Sequence, residues 1–251
     1  MLVAAAVCPC PPLLVPPVAA GAAPELDAAR TACADAVGVL AAARPDRLVV
    51  VGPYPGDGGP ERYPAGSVGD FRGFGVDVRV RFPGDREAAP DASDVPDASG
   101  ARDARPLPAS LAVAAWLLDR ATWSGAPVEA VAVGERLAPS RCADTGRELV
   151  GRGGRVALLV MGDGSACRTL KAPGYLDERA APFDARVGRA LGRADTGALA
   201  ALDEHLAHEL KVAGRAPWQV LAGAAEGAGL AGRLLHEDAP YGVGYYVATW
   251  S

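Results

Sequence analysis

Short aliphatic and β-branched runs alternate with alanine-rich stretches of helical spacing along most of this chain. That alternation restricts it to a central sheet flanked by helices. Residues 2–7, 47–51, 128–133 and 155–161 read as buried strands, too short for helices and too continuously apolar to face water. Between the first two, residues 24–43 set Leu26, Ala29, Cys33, Val37 and Leu40 at three- and four-residue spacings, which predicts a helix with one buried stripe. Further helices are expected at 108–123, 139–150, 177–191, 197–212 and 218–228, with closing strands at 232–236 and 242–250. Residues 74–82 alternate Val76, Val78 and Val80 with Asp77, Arg79 and Arg81, predicting a strand wet on one face.

Residues 84–105 are rich in Asp, Ala and Pro with almost no large apolar side chain. Such a segment cannot repay its ordering entropy, which predicts a flexible loop. No internal repeat and no linker interrupt the pattern, so positions 1–251 read as a single α/β domain with a mixed central sheet. A domain this size buries roughly 70–75% of its unfolded surface and folds without a disulfide or structural metal. The formal net charge of −5 argues against a nucleic-acid coat, which needs a basic face. Five cysteines, at 8, 10, 33, 142 and 167, are an odd and scattered set, unlike a secreted disulfide framework. The apolar start of the chain lacks a basic n-region, and no apolar run reaches the ~18 residues of a membrane span. A cytoplasmic protein is expected.

In open α/β sheets ligands collect beyond the carboxyl ends of the strands. Here those loops are 8–16, 52–59, 134–138 and 162–173. The densest polar cluster runs from Gly162 to Lys171. Its glycines permit close backbone approach, and Arg168 and Lys171 supply positive charge for a carboxylate or phosphate. The spacing is not a Walker A motif. Asp163, Ser165 and Cys167 are candidate catalytic groups, although no Gly-x-Ser-x-Gly elbow is present. The competing reading is a tight strand-to-loop turn in which Asp163 caps backbone amides. Cys8 and Cys10 form a C-x-C pair, and free cysteines are commonly small buried hydrophobes. His205 and His208, three apart among charged residues, read as a solvated helix face.

Three segments carry a resemblance: Cys8-Pro9-Cys10-Pro11-Pro12-Leu13-Leu14-Val15-Pro16, Val49-Val50-Val51-Gly52-Pro53-Tyr54 and Met161-Gly162-Asp163-Gly164-Ser165-Ala166. They resemble the signature loops of the class III extradiol ring-cleavage dioxygenases (B-subunit type) and the related Memo proteins. Gly174-Tyr175 with Phe183-Asp184, and Pro240-Tyr241-Gly242-Val243-Gly244-Tyr245, extend the resemblance over most of the chain. The resemblance implies that architecture, and an Fe(II) site built from two histidines and a carboxylate with a third histidine as acid/base. The matching positions here hold Cys10, Tyr54 and Ala166.

The resemblance thus implies a pseudoenzyme candidate of an oxidoreductase family, without iron or another cofactor, that keeps a pocket for a small molecule or peptide. Its ligand would meet Cys10, Pro53, Tyr54, Asp163, Ser165, Arg168, Lys171 and Tyr241. One alternative is an active Fe(II)- or Zn(II)-dependent oxygenase with ligands moved to Cys8, Cys10, His236 or Glu237. A second, implied by the resemblance because Cys10 stands at a ligand position, is a thiolate zinc or copper site of Cys8 and Cys10 with Cys167 or His236; zinc would require four such groups converging tetrahedrally. Another is a thiol- or serine-based enzyme at 162–171. The expected partner is that ligand, anionic in character, or a second copy of the chain, with no nucleic acid and no membrane. Placing Cys10 and Tyr54 at one former metal site predicts that their Cα atoms lie within about 12 Å.

Overall fold

The computed structural model describes residues 1–84 and 105–251, so the expected loop at 84–105 lies outside the described residues except at its ends. Its strands are β1 (Leu2–Cys8), β2 (Arg47–Tyr54), β3 (Glu61–Tyr63), β4 (Val68–Asp70), β5 (Arg79–Arg81), β6 (Val128–Gly134), β7 (Val156–Met161), β8 (Gly232–Asp238) and β9 (Tyr245–Trp250). Seven of them form one sheet in the order β3-β6-β2-β7-β1-β9-β8. The middle four, β6-β2-β7-β1, run parallel, and antiparallel strands close both sides. The parallel strands are the continuously apolar runs, as burial on both faces requires.

The helices are α1 (Pro16–Ala19), α2 (Asp27–Ala42), α3 (Ala109–Arg120), α4 (Pro139–Gly151), α5 (Ala180–Arg193), α6 (Thr196–Ala200), α7 (Glu204–Glu209) and α8 (Arg215–Ala224). Alternation along each strand divides the core in two. Ala4, Ala6 and Cys8 of β1 meet α2 and α3 through Cys33, Leu40 and Leu111. Leu2, Ala5 and Val7 face the layer of α4, α5 and α8 through Leu149, Val187 and Trp218. Helices α4 and α8 touch backbone to backbone: a Cβ on Gly146 would stand 2.6 Å from the Ala224 nitrogen, and one on Gly223 would strike Ala143.

Two sequence expectations need correction. Residues 74–82 pair only at 79–81, where β5 meets β4 in a separate two-stranded sheet. Gly75 adopts φ +84 after a short 3₁₀ turn, and Val76 and Val78 pack on the core without joining a ladder. The helix expected at 197–212 is two short helices, because Asp203 caps the second one by accepting from the Leu206 amide at 2.7 Å. No helix among the described residues is long and apolar enough to cross a membrane.

Candidate functional site at the carboxyl edge of the sheet

Register brings the three signature loops to one level. Val7, Val160 and Val51 are paired across β1, β7 and β2. Cys10, Asp163 and Tyr54 each follow three residues later, and Tyr54 pairs with Gly134 at the end of β6. Strands β1 and β2 are two positions apart, so at ~4.8 Å per strand their axes lie about 10 Å apart. Cys10 and Tyr54 therefore flank Asp163 at the same end of the sheet.

Asp163 is the centre of this row. Its Oδ1 accepts the Cys10 backbone N–H at 2.8 Å, and its Oδ2 lies 3.8 Å from the Cys10 sulfur. Its own backbone carbonyl accepts the Gly214 N–H at 2.8 Å, fixing the loop to the start of α8. Asp163 as a residue is partly exposed, while protein encloses its carboxyl. Burial pushes its pKa up to about 7, with the nearby Glu135 charge adding to the rise while the Cys10 bonds oppose it. Burial likewise raises Glu135, which follows β6 directly. The Cys10 thiol is held well above the ordinary thiol range by burial first and by Asp163 second. A carboxyl shifted toward neutral pH at a strand end marks a candidate ligand or proton-transfer site.

The sign of the pH effect follows. Asp163 ionises near 3.8 when unfolded and near 7 when folded, so its contribution is full below about pH 4 and is lost as pH rises through 7. Asp163→Asn should therefore gain stability relative to the native chain between pH 4.5 and 8. Unfolding midpoints of both proteins across that range check this. A constant difference would show that Asp163 titrates at its ordinary value.

Deeper in the same loop lies a second carboxylate, the fully buried Asp184 of α5. It accepts the Ser165 N–H at 2.9 Å, the Ser165 hydroxyl at 2.7 Å and the Arg168 guanidinium at 3.1 Å. Glycines make room for it: a Cβ on Gly164 would come within 3.0 Å of its Oδ1, and one on Gly244 within 2.9 Å of its Oδ2. Ser165 is thus sealed and points inward. Cys167 is also buried, its sulfur 3.5 Å from the Leu210 carbonyl. Neither is presented as a nucleophile. Arg168 is committed to Asp184, leaving exposed Lys171 as the loop's uncommitted cation among the described residues.

The remaining candidates spread out. Pro53 is buried on β2, and its carbonyl accepts the Ser110 hydroxyl. Tyr54 is half-buried and donates to the Gly59 carbonyl at 3.2 Å. Ala166 is buried. Tyr241 lies half-buried in the β8–β9 turn, with its pKa raised by burial and then by Glu25. All five cysteines are free and buried, and Cys33 reaches the site from α2 through Cys8. Glu135 and Cys33 are members of the site that its sequence pattern does not single out. The strand-end rule locates the loop that carries Glu135, whereas Cys33 has the spacing of any core position on a helix.

These residues do not fit an Fe(II) site of two imidazoles and a carboxylate. His205 and His208 are exposed on α7. His236 and Glu237 lie on edge strand β8, two strands from β1 and its Cys8, or about 10 Å by strand spacing. The Cys10 thiol holds its proton beside Asp163. Among the described residues no three His, Cys, Asp or Glu side chains converge as a metal ion needs.

The whole chain has a structural likeness. The crystal structure of uncharacterized protein JW3007 from Escherichia coli K12 is similar at a TM-score of 0.55 and 15% identity, covering 99% of each chain. At that identity the likeness shows a common fold and nothing of activity. No family model matches the chain, and no curated protein matches it.

Proposed function

We propose that the carboxyl edge of β1, β7, β2 and β6 is a small-molecule binding site on a class III extradiol dioxygenase-like scaffold, one that works without Fe(II). The observation that supports this reading is Asp163, tied to Cys10 at the level of Tyr54 and carrying a carboxyl that titrates near 7. The side chains at the three positions the resemblance reserves for histidine serve other ends: Cys10 secures Asp163, Tyr54 braces the 55–59 loop, and Ala166 fills space. A ligand that donates an O–H or N–H to Asp163 would bind more tightly above pH 7 than below it, because the ionised carboxylate is the stronger acceptor.

The protein purified without chelator or metal-affinity tag is expected to hold no stoichiometric iron and to leave catechols such as protocatechuate uncleaved. Elemental analysis and a ring-opening assay check both. Near one equivalent of Fe(II) with turnover would overturn the reading. Cys10→His combined with Tyr54→His should bind Fe(II) or Zn(II) more tightly than either single variant, since it restores two imidazoles at one level of the sheet. Equal metal affinity in all three variants would show that these positions never shared a site.

A further inference from the structure

A cleft of about 680 Å³ lies away from the carboxyl-edge residues, between α5 and the α6–α7 pair. Its volume is that of a small-molecule site. Phe183, Ala190, Leu202 and Leu206 give it an apolar floor. Along its rim, Arg186, Arg189 and Arg193 project from α5 at i, i+3 and i+7, one face of the helix, spanning about 10 Å along the axis.

The charges in this cleft are unevenly paired. Asp195 caps α6 by accepting the Ala198 N–H at 2.9 Å, and Asp203 caps α7. Glu209 is taken by Arg179 at 2.7 Å. Each acid of the cleft therefore has a hydrogen-bond partner, although among the described residues only Glu209 meets a cation, and Asp195 and Asp203 keep their charge. Arg186, Arg189 and Arg193 are exposed and have no carboxylate within 4 Å among the described residues, although Glu237 shares a shallow groove with the last two on the far side of α5. Arg186 lies 5.9 Å from the centre of the Phe183 ring, so its planar cation and an aromatic face meet at the cleft wall. In a chain of net charge −5, three guanidinium groups without carboxylate partners among the described residues form a positive row on one helix face, across an apolar floor from Asp195 and Asp203.

We propose that this cleft binds a small organic dianion, two phosphate, sulfonate or carboxylate groups joined by an apolar body. The length of the arginine row exceeds the reach of one phosphate, and the apolar floor calls for hydrocarbon or a ring between the charges. Guanidinium pairs grip such oxygens bidentately.

Naphthalene-1,5-disulfonate is the probe, titrated into the full chain by calorimetry beside naphthalene-1-sulfonate and inorganic pyrophosphate. The disulfonate should bind at least tenfold more tightly than either, and its affinity should fall with salt. Arg189→Ala with Arg193→Ala should weaken it at least tenfold, and Arg186→Gln alone should weaken it to a smaller degree. Arg120→Ala, an exposed arginine on α3, should leave it unchanged, and so should Asp163→Asn, which separates this cleft from the carboxyl-edge site. Unfolding midpoints confirm that the variants fold. Absent saturable binding, equal loss in Arg120→Ala, or pyrophosphate binding as well as the disulfonate would each overturn the proposal. A glutamate-rich peptide that binds where the disulfonate does not would overturn it in favour of a protein partner.

Discussion

Asp184→Ala is expected to lower stability by about 3 kcal/mol, which for a chain of this length moves the melting temperature by roughly 6–12 °C. The carboxylate is fully buried and satisfies three donors at once: the Ser165 amide, the Ser165 hydroxyl and Arg168. Alanine leaves two buried donors without acceptors, each costing about 1–3 kcal/mol. It also strips Arg168 of its counter-charge. Because Arg168 is 30% exposed, water takes over part of that role, which holds the total near the lower end for a broken buried ion pair. Asp184→Asn keeps one acceptor oxygen and should lose less. Denaturant unfolding of both variants tests this, and a loss below about 1 kcal/mol for alanine would mean that Asp184 does not secure the 162–168 loop.

Arg215→Ala should cost about 2–4 kcal/mol by a different route. This arginine is fully buried and has no carboxylate partner among the described residues. It donates to the Glu135 carbonyl at 2.6 Å, to the Leu137 carbonyl and to the Gln219 side chain at 3.0 Å. It thereby ties the loop after β6 to α8. Removing it leaves acceptors and a cavity, partly offset because no charge need then be desolvated. Arg215→Met separates the parts: it refills the volume, so it should recover much of the stability. Both variants should speed hydrogen exchange across residues 135–138. Unchanged exchange there would mean the loop holds its place without Arg215.

The parallel core was legible because its strands are apolar without interruption, and β1, β2, β6 and β7 fall within a few residues of their expected bounds. β3 and β4 were not, since three residues cannot display a period. The break in 197–212 had a visible cause in Asp203, three residues before Leu206, but the run of helix-forming residues around it concealed the cap. At the edge of the sheet, strand-end logic picks out the loops that carry Cys10, Tyr54 and Asp163. The amide that Asp163 caps belongs to Cys10, 153 positions away, and no local pattern announces such a bond. Arg168, expected to supply charge for an anionic ligand, pairs instead with Asp184. That carboxylate is buried, because the glycines at 164 and 244 let it sit where side chains would otherwise stand.

The two rims of the sheet decide how copies of this chain can meet. One ends on β3, only three residues long and bearing Glu61 and Arg62. The other ends on β8, with exposed Arg233, Glu237 and Asp238. The three-residue β3 offers few amides to an added strand, and the exposed charged side chains of the seven-residue β8 make it a poor template. Growth of the sheet by recruitment is thereby disfavoured at both ends. A contact made through the helical layers instead would depend on side chains that mutation can change without disturbing a single rung of the ladder.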